Sequence, residues 1–213
     1  MNRLIAGLKK EIASGLPGTE VQWSMASSDR LVKDFPRTPR KDSTAAAVLI
    51  LLYPIEGKTG TVFIQRPDYD GVHGGQISFP GGKVEKNDES PVTTALREAA
   101  EETGLETSSV EIAGILTPLY IPVSNINVTP VVGWTAERPV FRPDPAEVQF
   151  VIEAELAPFL ERSIIKTRPW EVRGELINIR YFDYKGHVIW GATAMMLHEL
   201  LTIIKKAGLS PMV

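Results

Sequence analysis

The stretch Gly82-Lys-Val-Glu-Lys-Asn-Asp-Glu-Ser-Pro-Val-Thr-Thr-Ala-Leu-Arg97-Glu98-Ala-Ala-Glu101-Glu102-Thr-Gly104-Leu105 decides how this chain is read. Glu98, Glu101 and Glu102 stand at i, i+3 and i+4, positions that share one face of an α-helix. At about 100° per residue, Glu101 and Glu102 fall about 60° to one side of Glu98 and about 40° to the other. Val92, Ala95, Leu96, Ala99 and Thr103 gather on a second face, which gives the segment an apolar side to bury. Pro91 suits a first helical turn, where its missing N–H costs nothing, and Asp88, Glu89 and Ser90 are cap candidates before it. Gly104 suits a C-terminal stop. The spacing predicts a helix over 90–103. Three carboxylates this close repel one another unless a cation sits between them. Ligands of oxygen alone favour a hard divalent ion, Mg²⁺ or Mn²⁺, over zinc. In isolation such a cluster reads as a solvated acidic face. Two neighbours weigh against that: Arg97, with a fork that can hold a carboxylate bidentately, and Phe79-Pro80-Gly81-Gly82, a rigid strand exit with exposed backbone.

These residues carry a resemblance. The chain resembles the Nudix hydrolases, whose signature is Gly-x5-Glu-x7-Arg-Glu-U-x-Glu-Glu-x-Gly-U, with U a bulky aliphatic residue. Gly82, Glu89, Arg97, Glu98, Glu101, Glu102, Gly104 and Leu105 match in type. There are two departures: six residues separate Gly82 from Glu89, so that a count of five lands on Asp88, and the first aliphatic position is the small Ala99. Upstream, Gly75-Gln76-Ile77-Ser78-Phe79-Pro80-Gly81-Gly82 is similar to the Gly-Gln-x-x-Phe-Pro-Gly-Gly of Nudix proteins that cleave coenzyme A. Val128-Thr-Pro-Val-Val-Gly133 and Trp190-Gly-Ala-Thr-Ala194 resemble the same subgroup, which carries an Arg where this chain has Gly71. The resemblance implies an α/β/α sandwich with a central mixed sheet. It also implies metal-dependent cleavage of a pyrophosphate bond in a nucleoside diphosphate linked to another moiety, coenzyme A or its derivatives foremost. ADP-ribose, NADH and dinucleoside polyphosphates are the other substrates of that class. A non-catalytic nucleotide-sensing module and a purely structural acidic domain are the readings outside it, and the intact glutamate set disfavours both.

The composition sets bounds. The chain has 213 residues, of which 43% are hydrophobic and 23% charged, a globular balance with room for one well-filled core. A net charge of −3 speaks against nonspecific nucleic-acid binding, and the absence of cysteine excludes disulfides and thiolate metal sites. No apolar run reaches the ~18 residues of a membrane span, and the N-terminus has no signal-like apolar region. A cytoplasmic protein acting on a small molecule, without nucleic acid or membrane, is the expectation.

Along the chain, residues 1–43 read as an N-terminal helix over 2–14 followed by a polar arm. Residues 44–207 read as the Nudix hydrolase domain with its C-terminal helix, and 208–213 as a tail. Leu4, Ile5, Leu8 and Ile12 sit at helical spacing, which suits a packing or dimer helix. Terminal helices beyond the family core make a homodimer a fair expectation. Ala45–Tyr53 is a buried strand and Thr61–Gln65 its antiparallel partner. Short strands are expected at Gln76–Phe79, Val110–Tyr120, Ile126–Thr135, Val148–Ala154, Ile164–Thr167, Glu175–Tyr181 and His187–Trp190. The turn Asp183-Tyr184-Lys185-Gly186 joins the last two, and a helix over 192–206 closes the chain. Strands mixed with helices at 90–103 and 192–206 indicate an α/β fold with a sheet covered on both faces.

The resemblance assigns roles. Glu98, Glu101 and Glu102 form the metal cage, joined by a backbone carbonyl at Gly81 or Gly82. Arg97 belongs to the catalytic set in a structural part. It points away from the Glu98–Glu102 centre and pairs with Glu89 or Asp88. The general base is Glu98 or Glu147, the latter in Asp144-Pro-Ala-Glu147 before a strand. Arg66, His73, Gly75, Gln76, Gly81 and Gly82 are candidates for contact with substrate, and Ser124, Asn125 and Asn127 for lining its pocket. His187 and His198 read as structural, and Trp134, Trp170 and Trp190 as core or interface residues.

Overall fold

Strand β1 (Thr44–Ile55) organises the molecule, and its sequence says why. Ala47, Leu49, Leu51 and Tyr53 face one layer, while Ala46, Ile50 and Leu52 face the other, and all are buried. A strand apolar on both faces has to be sandwiched. The protein is described by a computed structural model over residues 2–28, 35–67, 74–172 and 174–208. Among these, β1 turns through Glu56-Gly57, both at positive φ, into β2 (Lys58–Gln65). A two-residue turn of that hand matches the twist of an antiparallel hairpin. β2 starts three residues before the expected Thr61, because Gly60 lies inside the ladder rather than in the turn.

The remaining strands are β3 (Ile77–Ser78), β4 (Gly81–Lys83), β5 (Glu111–Ile115), β6 (Leu119–Ile121), β7 (Ile126–Trp134), β8 (Phe150–Glu155), β9 (Ile165–Val172), β10 (Glu175–Tyr184) and β11 (His187–Trp190). The main sheet runs β3-β2-β1-β7-β5, with β4 also on β1, β6 on β7 and β8 on β2. β1 and β7 are parallel and the other pairs antiparallel, so the sheet is mixed, as expected. A second sheet runs β11-β10-β9.

The helices are α1 (Asn2–Ser14), α2 (Thr19–Trp23), α3 (Pro91–Thr103) and α4 (Gly191–Lys206). α3 lays Ala95 and Ala99 against the Ala47, Leu49 and Leu51 face of β1. α1 and α4 cover the other face with Leu4, Ile5 and Leu8 and with Met195, Leu200 and Ile203. The apolar stripe of α1 is therefore buried within its own chain, the packing role rather than the dimer role.

Two local expectations shift. The single strand over Val110–Tyr120 divides into β5 and β6. Its register slips between Ile112 and Gly114, and Pro118 brings no N–H to continue the ladder. β9 runs on to Val172 through Pro169, which the sheet accepts because β9 lies at its edge. The short helix α2 carries too few residues to show a period.

Candidate functional site

α3 is fixed at both ends by local chemistry. The Ser90 hydroxyl accepts the Thr93 N–H at 3.2 Å, Pro91 follows in the first turn, and Gly104, at φ 65°, ends the helix with its N–H on the Ala100 carbonyl. With Ala95 and Ala99 seated on the sheet, the glutamates are carried round towards β4. β4 pairs with the first part of β1, setting Gly82 opposite Ala47 and Gly81 opposite Val48. Gly81 is required by backbone contact and by its positive φ, and Gly82 gives its space to the Glu98 carboxylate. A Cβ on Gly82 would lie 2.3 Å from a carboxylate oxygen of Glu98, and one on Gly81 would lie 2.4 Å from the Ala47 carbonyl oxygen. The missing side chains let the Glu98 carboxylate lie directly on the backbone.

Glu102 is almost sealed, at 1% exposure. It accepts the Gly81 N–H at 2.8 Å and Arg66 Nη2 at 3.1 Å. Arg66 also donates to the Gly81 carbonyl at 2.9 Å and to Ser78 Oγ at 3.3 Å, so one guanidinium ties β2, β3, β4 and α3 together. Burial pushes the Glu102 carboxyl up to about 7. Arg66 and the Gly81 N–H oppose the rise, and the charges of Glu98 and Glu147 add to it. Glu98 is also raised, first by burial, with Arg97 opposing and Glu101 and Glu147 reinforcing.

Glu147 reaches this cluster through main-chain bonds. The Arg142 N–H donates to the Thr103 carbonyl at 2.7 Å and the Asp144 N–H to the Glu102 carbonyl at 3.0 Å, so the loop before β8 is pinned to the last turn of α3. The N–H groups of Glu147 and Val148 both return to the Asp144 carbonyl, forming a tight turn that presents the Glu147 side chain. Among the described residues this carboxylate accepts no hydrogen bond and pairs with no cation.

Arg97 makes the choice the sequence left open. Its Nε and Nη2 grip Asp88 at 3.1 and 2.9 Å, and Nη2 also reaches the Lys83 carbonyl. Glu89 is exposed. The acid that answers the motif is therefore Asp88, separated from Gly82 by five residues. Arg97 holds the Asp88 carboxyl far below its ordinary value, helped by the Glu85 N–H and the Thr94 hydroxyl. The expectation that Arg97 points away from the glutamates is corrected: Nη1 lies 3.0 Å from both Glu98 Oε1 and Glu101 Oε2. A planar fork has two ends, and here each end holds acid.

Above the cluster lies a cavity of about 690 Å³, within the range of small-molecule sites. Arg66, Gln76, Gly81, Gly82, Glu98, Glu101, Glu102 and Glu147 line it. Gly75 sits aside, in a cleft with Gln65, whose amide donates to the Gly75 carbonyl at 2.5 Å. His73 and Gly71 lie outside the described residues. Ser124, Asn125 and Asn127 do not line the cavity, whereas Val123, Ile126 and Val128 from the same stretch do. Alternation along β7 explains this, since Ile126 and Val128 share one face and Asn127 takes the other. His198 is half-buried beside Phe182, with its pKa lowered by burial, and the His187 ring lies tilted beside Phe150. Sequence reasoning missed Arg66 as the partner of Glu102, and it missed Phe35 and Met196 as cavity walls. Met196 lies within the helix expected over 192–206, and no local pattern marks Phe35.

The donor set fits a hard divalent cation in type: carboxylates, a glycine backbone and no sulfur or imidazole, with Glu98 and Glu102 raised by burial and by the charge of neighbouring acids. The cage itself is not closed. Among the described residues no three acidic or histidine side chains converge on one point, because Glu98 and Glu101 rest on Arg97 and Glu102 on Arg66 and Gly81.

Residues 43–185 match the family model of the NUDIX domain. The chain is 37% identical over 168 residues to Nudix hydrolase 22, chloroplastic, of Arabidopsis thaliana, covering 75% of this chain and 55% of that protein. It is 31% identical over 174 residues to an uncharacterized Nudix hydrolase, NudL, of Photorhabdus laumondii, covering 81% and 92%. The Escherichia coli K12 protein of that name is 36% identical over 157 residues, covering 73% and 80%. The chain thus spans little more than half the length of the plant relative. Among solved structures, RenU, a Nudix hydrolase of M. smegmatis, superposes with a TM-score of 0.55 at 15% identity, covering 77% of this chain and 87% of that one, which is a likeness of fold.

Proposed function

Since this chain belongs to the Nudix family, we propose that it is a divalent-metal-dependent pyrophosphohydrolase whose substrate is a nucleoside diphosphate linked to another moiety, coenzyme A or a derivative of it foremost. One observation carries the reading: Glu98 lies against Gly82, Glu102 accepts the Gly81 N–H, and both line, with Glu147, a cavity large enough for such a molecule. The coenzyme A assignment rests on the run Gly75–Gly82, whose Gln76, Gly81 and Gly82 all border that cavity.

Mg²⁺ or Mn²⁺, held by Glu98, Glu101, Glu102 and the Gly81–Gly82 backbone, would neutralise phosphate charge and acidify a bound water. The chain's own residues do the rest. Arg66 and the Gly81 N–H fix the Glu102 carboxylate in one orientation. Arg97 locks α3 to the loop after β4 through Asp88 and steadies Glu98 and Glu101. Glu147 is assigned as the proton acceptor, with Glu98 as the alternative. Glu147 is exposed and meets no donor among the described residues, whereas Glu98 Oε1 lies on Arg97.

The test is to incubate the purified protein with Mg²⁺ or Mn²⁺ and coenzyme A, ADP-ribose, NADH or diadenosine polyphosphates, and to identify products by mass. Formation of 3′,5′-ADP and 4′-phosphopantetheine is expected. Undiminished cleavage by Glu102→Gln would show that the site is misplaced.

A further inference from the structure

Two segments of the chain are tied to helices by different means. The N-terminal segment is tied by side chains. Glu199 on α4 has no exposure and clamps it, accepting the Gly18 N–H at 3.2 Å and Gln22 Nε2 at 2.8 Å, along with the Thr117 hydroxyl at 2.6 Å. The connection from β7 to β8, which carries Glu147, is tied to α3 by main chain on main chain. The Arg142 N–H donates to the Thr103 carbonyl and the Asp144 N–H to the Glu102 carbonyl. Carbonyls in the last turn of a helix have no partner within it, and here the connection supplies two.

Bonds between two main chains need close approach, and Gly104 allows it. A Cβ on Gly104 would lie 2.8 Å from the Arg142 carbonyl oxygen, 2.9 Å from its Cβ and 3.3 Å from its nitrogen. These atoms are backbone or fixed to it, so no rotamer change clears them and the connection itself has to move. The movement would be handed on to Glu147. The Asp144 carboxylate accepts the Ala146 N–H at 2.8 Å, and its carbonyl accepts the Glu147 and Val148 N–H groups at 3.1 and 2.8 Å. Pro145 stiffens the first corner of that turn. Beyond it, Val148 is buried and the Gln149 N–H donates to the Gln65 carbonyl at 2.9 Å. Before it, Phe141 meets the Tyr53 ring edge-on at 5.6 Å. Both ends of the connection are thus anchored on the sheet, and its middle rests on Gly104.

A glycine at a helix end is ordinarily explained by its left-handed backbone, and Gly104 at φ 65° meets that need. The contact with Arg142 is a separate demand. Asparagine also accepts the left-handed region, but it carries a Cβ. Building on the assignment of Glu147 as proton acceptor, we propose that Gly104 is a positioning residue. Lacking a Cβ, it seats the main chain of residues 142–144 on the end of α3 and so holds Glu147 at the cavity that Glu98 and Glu102 also line.

The experiment compares Gly104→Ala, Gly104→Asn, Glu147→Gln and the double variant Gly104→Asn with Glu147→Gln. In metal-free protein, hydrogen exchange at the Arg142 and Asp144 amides should quicken at least about tenfold in both Gly104 variants, while the Leu49 amide in β1 keeps its protection. With Mn²⁺ and coenzyme A, kcat should fall at least about tenfold in both, with KM within about twofold. Gly104→Asn should melt above Gly104→Ala, because it keeps the helix stop, yet be no more active. In the double variant the two losses should not multiply. Wild-type protection of both amides, or activity that returns in Gly104→Asn along with its stability, overturns the proposal and leaves Gly104 a helix stop. Losses that multiply also overturn it, since Gly104 would then act other than through Glu147. Full activity in Glu147→Gln, or no hydrolysis by the wild-type protein, strikes the function proposed above instead. Amide exchange then decides the seat by itself, sustaining it where both amides lose protection.

Discussion

Two arginine–carboxylate pairs flank α3, and they set their acids in opposite directions. Arg97 grips Asp88 with two nitrogens, the Glu85 N–H and Thr94 hydroxyl join in, and the carboxyl is held far below its ordinary value. Arg66 touches Glu102 with one nitrogen where the carboxyl is sealed from solvent, and that carboxyl rises to about 7. The ions are the same in kind. What differs is first the burial of the acid, then the number of donors on it and the like charge around it. The first arrangement makes a lock between loop and helix. The second makes a carboxylate that benefits from an added cation.

The largest effect should come from the second pair. Glu102→Gln keeps an acceptor for the Gly81 N–H but removes the charge, and pyrophosphatase activity should fall at least about 10²-fold while the fold persists. Circular dichroism beside a turnover assay checks this, and loss of folding instead would erase the contrast between the pairs. Next is Glu147→Gln, which should lower kcat by about 10²-fold with little change in KM if this residue takes the proton. An equal loss in Glu98→Gln with Glu147→Gln silent would move the base to Glu98.

The third prediction uses pH and carries opposite signs for the two acids. Glu102 is raised, so the folded protein binds its proton more tightly than the unfolded chain. Its contribution is full below its ordinary value of 4.5 and is lost as pH climbs towards about 7. Asp88 is depressed, so its contribution is full above its ordinary value of 3.8 and is lost as pH falls below it. In metal-free buffer the wild-type Tm should drop relative to Glu102→Gln between pH 4.5 and 7, and Mn²⁺ should restore it at pH 7. Asp88→Asn should show its Tm deficit at neutral pH and lose that deficit in acid. Parallel pH curves for both variants would mean that the two pairs do not differ. The smallest effect belongs to the cap that starts α3 between them: Ser90→Ala should cost about 1 kcal/mol of stability by denaturant titration, with activity nearly intact.

How much of this could be read in advance follows the distance along the chain. α3 with its cap, its proline and its terminal Gly104 is a local pattern, and it stood in the sequence almost to the residue. Asp88 was legible only as one of two spacings, since the choice depends on which acid the bend after β4 turns inward. Arg66 on Glu102 was not legible, because those residues meet only after β2, β4 and α3 have assembled. Glu147 was legible as an acid before a strand, but its nearness to Glu98 and Glu102 comes from main-chain bonds that no side chain announces. Phe35 and Met196 were hidden most completely as cavity walls, because one stands in the expected arm and the other in the closing helix.

The Glu199 clamp also bears on the order of folding. Its bonds to Gly18 and Gln22 close loops of 181 and 177 residues, whereas Arg66 and Glu102 are 36 residues apart. Longer loops are entropically slower to close, and contacts of high sequence separation form late. The Gly81–Glu102 contact should therefore gain protection early in refolding, and the contacts of Glu199 with the N-terminal segment last. Pulsed hydrogen exchange would show it, with the Gly81 amide protected before the Gly18 amide. Simultaneous protection would mean that the ends of the chain join the nucleus. On this order, the glutamate floor of the cavity is in place before the two ends of the chain close on each other.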